Sequence, residues 1–183
     1  MSQDPGERRR SDLDRLPEPL TLGLATRPVS PADAAAFEAY AYPPPYELYG
    51  SAAGSASAFL EPEHRYVSVV DRAGALWGFG CIGTGGQVPG GDYGGLPGAL
   101  DVGVGMAPER VGQGAGPEFA RAILRHAWTP EIEWFRVSVA AFNERSIRLW
   151  RSLGFEERER FRSVRTGLWF VQLVARATAA RHP

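Results

Sequence analysis

Between Val111 and Gly116 the chain reads VGQGAG, and an apolar helix follows at once. Glycines at 112, 114 and 116 leave backbone N–H groups unshielded, just where the first turn of a helix has free N–H groups of its own. Such a cluster attracts an anion, most often phosphate. Two phosphate-binding loops and a plain turn compete for this reading. A Walker loop ends in Gly-Lys-Ser/Thr, and this chain has no lysine: its 20 cationic residues are all arginine. A dinucleotide fingerprint wants G-x-G-x-x-G, and Gly116 arrives one residue early, after several strands instead of the first one. A plain strand-to-helix turn needs one or two glycines, so three at alternate positions favour a ligand. Pro117 removes one donor where no intrahelical bond is lost.

The composition narrows the chemistry further. The 183 residues suit a single domain, and an apolar content of 44% allows a full core. A net charge of −1 argues against nucleic acid or an anionic membrane as partner. Cys81 is the only cysteine, and His64, His126 and His182 are scattered, so neither a disulfide framework nor a metal is expected. No apolar run reaches the roughly 18 residues of a membrane span, and the polar start is no signal peptide. A cytoplasmic protein is the plain expectation.

The loop must be held by regular elements, and the sequence marks them. Residues 1–18 are charged and proline-bearing, which predicts a flexible tail, with a domain over 19–177 and a flexible end at 178–183. Leu20 to Thr26 alternates as a first strand. Ser30-Pro31-Ala32-Asp33 starts a helix that runs to about Tyr40, before Pro43-Pro44-Pro45. Tyr66–Val70 and Leu76–Ile82 are two strands around a Gly74 turn. Residues 83–98 form a glycine-rich loop whose length suggests a mobile, functional rim. Leu100–Met106 is a strand, Gly114–Trp128 a helix, Trp134–Phe142 a strand and Asn143–Leu153 a helix closed by Gly154 and Phe155. Glu159–Val164 and Leu168–Val174 complete the order. This is an α/β pattern with a mixed sheet, in which only residues 100–142 require a parallel strand–helix–strand unit.

Two segments taken together resemble the GNAT superfamily of N-acetyltransferases. They are V-x-M-x-P-E-x-x-G-Q-G-A-G over 104–116 and N-x-x-S-I-x-L-W-x-S-L-G-F over 143–155. The resemblance implies a central, mostly antiparallel sheet of about seven strands, splayed in the middle and flanked by helices. It implies acetyl-CoA as cosubstrate. Backbone groups of Val104, Gly105 and Met106 would pair with the pantetheine arm and the thioester carbonyl. N–H groups of Val111, Gly112, Gln113, Gly114, Ala115 and Gly116 would wrap the pyrophosphate. Asn143 would hydrogen-bond the pantetheine, and it is equally a favoured helix N-cap.

The chain departs from the family pattern at two positions. Val111 stands where Arg or Gln is usual, so the grip falls to backbone donors. Trp150 stands at the position of the usual acid tyrosine, facing the cofactor, and an indole N–H is no proton source. Its spacing with Ile147 and Leu153 also suits a core stripe. Losing a general acid costs roughly 10²–10⁴-fold, but a thiolate leaves without much help. Tyr46 or Tyr49 could supply the proton instead. Asp101 is the first candidate base, and Glu47, between Tyr46 and Tyr49, is the second.

The resulting expectation is acetyl transfer from acetyl-CoA to a primary amine of a small molecule or a protein. The alternative is a GNAT-fold acyl-CoA-binding module without turnover, a sensor or interaction domain. The last strand pair could also support a homodimer.

Overall fold

The structure is a computed structural model that describes residues 21–177. The segments 1–18 and 178–183, with the first two residues of the expected domain, lie outside the described residues. The predicted first strand begins later than its alternation suggested: β1 spans Ala25–Pro28. Leu22 and Leu24 instead give their N–H groups to the Glu118 carboxylate at 3.0 and 2.9 Å.

Helix α1 (Pro31–Glu38) starts where Ser30 predicts. The Ser30 hydroxyl accepts from the Asp33 N–H, and the Asp33 carboxylate accepts from the Ser30 N–H, which closes a capping box. Asp33 also pairs with Arg27 and accepts from the Ser68 hydroxyl, tying α1 to the sheet. Burial alone would push its carboxyl up; Arg27, with Ser30 and Ser68, outweighs it and holds the group well below the usual carboxylate range.

Strands β2 (Val67–Val70) and β3 (Leu76–Ile82) form the expected hairpin. Then come β4 (Ala99–Met106), α2 (Gly116–Ala127), β5 (Trp134–Ala140), α3 (Glu144–Ser152), β6 (Glu156–Arg162) and β7 (Trp169–Arg176). The seven-stranded sheet runs β1-β2-β3-β4-β5-β7-β6. Every pair is antiparallel except β4–β5, which α2 connects. That parallel pair holds only from Ala99↔Trp134 to Asp101↔Arg136. Beyond it the strands part, while β4 stays paired with β3 and β5 with β7.

Phe79 and Gly80 face opposite sides of β3. On one side Ile123 of α2 fills the space a Gly80 side chain would take. On the other, Phe79 joins Phe37, Tyr40, Phe59 and Tyr66 in an aromatic cluster. Cys81 sits against β4, its sulfur 2.5 Å from where a Gly103 Cβ would stand. Burial pushes the Cys81 thiol up to about 12.

The 83–98 loop is strapped down rather than standing free as a rim. Arg136 donates to the Tyr93 carbonyl at 3.1 Å and stacks on the Tyr93 ring at 4.6 Å. The Tyr93 hydroxyl meets Ser138 at 3.0 Å, and Gln172 donates to the Asp92 carbonyl at 3.2 Å. No helix among the described residues is long and apolar enough to cross a membrane. Nor could any group of three or more His, Cys, Asp or Glu among them hold a metal ion.

Candidate active site

The glycine loop gives its three glycines two separate tasks. Gly112 and Gly114 have φ of +86° and +81°, a left-handed backbone that side chains rarely adopt. Gly116 is closely packed: an added Cβ would lie 3.3 Å from the methyls of Leu149, where α2 meets α3, and that side chain would have to give. The Val111 N–H is already given to the Pro108 carbonyl at 3.3 Å, so Val111 does not extend the amide cluster. From Gly112 to Gly116 the N–H groups donate to no carbonyl among the described residues. They crown the positive end of α2, a helix of 12 residues. The side chains of the loop turn elsewhere. Gln113 reaches back to the Glu109 carbonyl at 2.7 Å, and Arg110 stacks on Trp77 at 4.6 Å.

The parting of β4 from β5 opens the second half of the site. The Ala107 N–H points at the Trp77 carbonyl of β3. Backbone groups alternate along a strand, so those of Val104 and Met106 point the other way, into the gap. One is already used: the Met106 carbonyl accepts from the Tyr42 hydroxyl at 2.7 Å. Burial, with the field of Glu109, pushes that phenol up to about 12.

A cavity of about 530 Å³ joins the two halves. It runs from the backbone of Gly112, Gly114 and Gly116 past Val104, Gly105 and Met106 to a wall of Tyr42, Tyr46 and Tyr49. Asn143 lines it at the start of α3. Its Oδ1 caps the helix by accepting from the Ser146 N–H at 3.1 Å, the N-cap role weighed for this residue. Tyr49 accepts from the Ala140 N–H at 3.2 Å; burial raises its phenol, against hydrogen bonds to Asn143 and Ala140. Among the described residues, Tyr46 carries no hydrogen bond on its hydroxyl, while Arg145 lies over its ring at 4.8 Å.

Three expected site residues fall elsewhere. Asp101 is 4% exposed and does not line the cavity: Arg136 donates to both its oxygens and Gln87 to one of them. A carboxylate so engaged has no open face for an ammonium. Trp150 is 1% exposed and turned inward onto Phe155, with ring centroids 4.9 Å apart, and it does not line the cavity. Glu47 is exposed on a short turn, Glu47–Tyr49, outside the cavity lining. The side chain of Gln113 also stays out.

Other residues line the cavity unannounced: Tyr42, and on α3 Arg145, Ser146, Arg148, Leu149 and Ser152. The α3 set had a signal, because positions 145, 148, 149 and 152 share one helical face. Tyr42 had none, since its contact with Met106 spans 64 residues.

Residues 24–156 match the family described as Acetyltransferase (GNAT) domain. The chain belongs to the GNAT acetyltransferases. The seven-stranded mixed sheet, splayed between β4 and β5, is the sheet expected of a GNAT chain. No curated protein matches it by sequence. Solved structures share the GNAT fold. An aminoglycoside acetyltransferase, AAC(6')-Ib, in complex with coenzyme A is 16% identical, with a TM-score of 0.67 over 85% of this chain and 96% of that one. A Salmonella typhimurium acetyltransferase, yncA, with acetyl-CoA is 18% identical, at 0.60 over 85% and 94%. The Vibrio cholerae spermidine N-acetyltransferase in complex with CoA and spermine is 15% identical, at 0.60 over 87% and 99%.

Proposed function

We propose that this GNAT chain transfers the acetyl group of acetyl-CoA to the primary amine of a small molecule. The observation that carries the reading is the continuity of the cleft. An amide cluster fit for a pyrophosphate lies at one end, the unpaired edge of β4 in the middle, and tyrosines at the other. The same groups meet the needs of coenzyme A. Five unshared N–H groups at a helix N-terminus suit phosphate oxygens, and an open strand edge suits the amides of the pantetheine arm. Neighbours of the same fold, solved with CoA or acetyl-CoA, support the assignment.

Binding both reactants side by side removes much of the entropic barrier. A backbone donor on the open edge at Met106 is placed to polarise a thioester carbonyl and to stabilise the oxyanion. Tyr46, with its hydroxyl uncommitted, takes the role of proton donor that Trp150 cannot fill, and Asn143 holds the pantetheine. The acceptor enters past Tyr42, Tyr46 and Tyr49.

Calorimetric titration with CoA, acetyl-CoA and NAD tests the cofactor, and thiol release across an amine panel tests turnover. Binding of the CoA pair together with amine-dependent thiol release is expected. Tight CoA binding with no release for any amine would make the chain a silent acyl-CoA module instead.

A further inference from the structure

The cavity's lining carries an unusual balance of charge for a site that must receive an amine. Its charged side chains are Arg145 and Arg148, and the rest of the wall at the Met106 end is aromatic: Tyr42, Tyr46, Tyr49 and Phe79. Phe142, half-exposed, extends that wall, with its ring 6.0 Å from Tyr46 and 6.4 Å from Tyr49. The carboxylates nearby are spent or outside. Asp101 is locked to Arg136, Glu144 pairs with Arg148 at 3.2 Å, Glu47 is exposed beyond the lining, and Glu109, also exposed and outside it, acts on Tyr42 only through its field.

We propose that the acceptor is a weakly basic primary amine on an aromatic body, and not a polycation. The proposal rests on the acetyl-CoA reading above and specifies its acceptor. An ammonium entering this cleft meets a fixed positive charge at Arg145 and loses water to apolar walls. Both effects disfavour its charged form. An amine that is already neutral meets neither obstacle. An α-amine next to a carbonyl has a pKa of about 8, against about 10.4 for an alkyl ammonium, so their neutral fractions near pH 7 differ by more than a hundredfold.

The chemistry then balances without a carboxylate base. The amine lone pair forms the C–N bond and the C–S bond breaks, its electron pair passing to sulfur. The proton lost from nitrogen ends on the thiolate, through Tyr46 and water, giving amide and free CoA thiol. The aromatic wall stacks the body of the acceptor, and such ring pairs contribute beyond the area they bury.

Four probes separate basicity from shape, with the full chain and saturating acetyl-CoA at pH 7: phenylalaninamide, alaninamide, phenethylamine and spermidine. The kcat/KM for phenylalaninamide is expected to exceed that for alaninamide about tenfold, through the aromatic wall. It should exceed phenethylamine by a margin that shrinks as the pH rises to 9, where more of the stronger base is neutral. Spermidine should come last, and Arg145→Glu should raise its kcat/KM relative to phenylalaninamide. Spermidine turned over as well as phenylalaninamide, or no amine turned over while CoA binds, would overturn the proposal. Failure to bind CoA in calorimetry would instead bring down the reading beneath it.

Discussion

Arg136 grips Asp101 on the last rung where β4 and β5 still run side by side. Its Nε reaches Oδ1 at 2.6 Å and its Nη2 reaches Oδ2 at 3.0 Å. The pair stands at the apex of the gap, so the group first expected to strip a proton instead anchors the place where the strands part. Removing one member of a buried pair strands the other without a partner, at a cost of about 3–5 kcal/mol. Asp101→Asn is therefore expected to lower the urea midpoint sharply. In protein that remains folded, the pH profile of kcat/KM should keep its shape. A lost acidic limb would restore Asp101 as the base.

Tyr46→Phe removes the one cavity tyrosine hydroxyl without a partner among the described residues. About a tenfold fall in kcat is expected, below the usual range for general acids because a thiolate leaves readily. The KM for acetyl-CoA should stay near its wild-type value. Steady-state thiol release with a fixed amine reads both.

Gly114→Ala places a side chain in open space on a left-handed backbone, so its cost is conformational, about 1–2 kcal/mol. A loop that relaxes by turning its N–H groups away should bind CoA at least several-fold more weakly in calorimetry. Arg148→Ala probes the basic lining that α3 contributes to the cavity. It should weaken CoA binding and flatten its dependence on salt, because an exposed guanidinium acts through a screened field.

Trp150→Tyr restores the residue usual in the family but points a hydroxyl into the core beside Phe155. No gain in kcat is expected. Stability should fall by about 1–3 kcal/mol, as buried hydroxyls without partners require. Chemical denaturation and initial rates measure the two effects separately.

Acid should act through Asp33. Its carboxyl titrates below the ordinary range in the folded chain, so its contribution is complete above about pH 5 and drains away as pH falls further. Wild type should lose stability between pH 5 and 2 more steeply than Asp33→Asn, which starts lower at pH 7, in urea titrations at each pH.

What the sequence disclosed follows from the range of the forces involved. Ser30 caps α1 through Asp33, three residues on, and Gly154 with Phe155 closes α3 on the carbonyls of Arg151 and Trp150. Such local bonds leave local patterns. The amide cluster was legible for the same reason, as was its place before α2. Asp101 was misread because its partner lies 35 residues away, and pairing across a sheet leaves no periodic mark. Trp150 had a legible apolar spacing, but the resemblance assigned it to the cofactor, and its ring faces Phe155 instead. Tyr42 and the basic face of α3 come into play only once the parting of β4 from β5 opens a cavity between them.

Cys81 is the protein's one thiol, and it is shut inside the sheet with its proton held to about pH 12. Thiolate, not thiol, attacks disulfides. In the folded enzyme every sulfhydryl that an aromatic disulfide dye counts at pH 8 therefore belongs to coenzyme A. The protein is transparent to the colour reaction that reports its own turnover. Conversely, a slow rise in dye signal without acetyl-CoA would mark unfolding of β3 and β4.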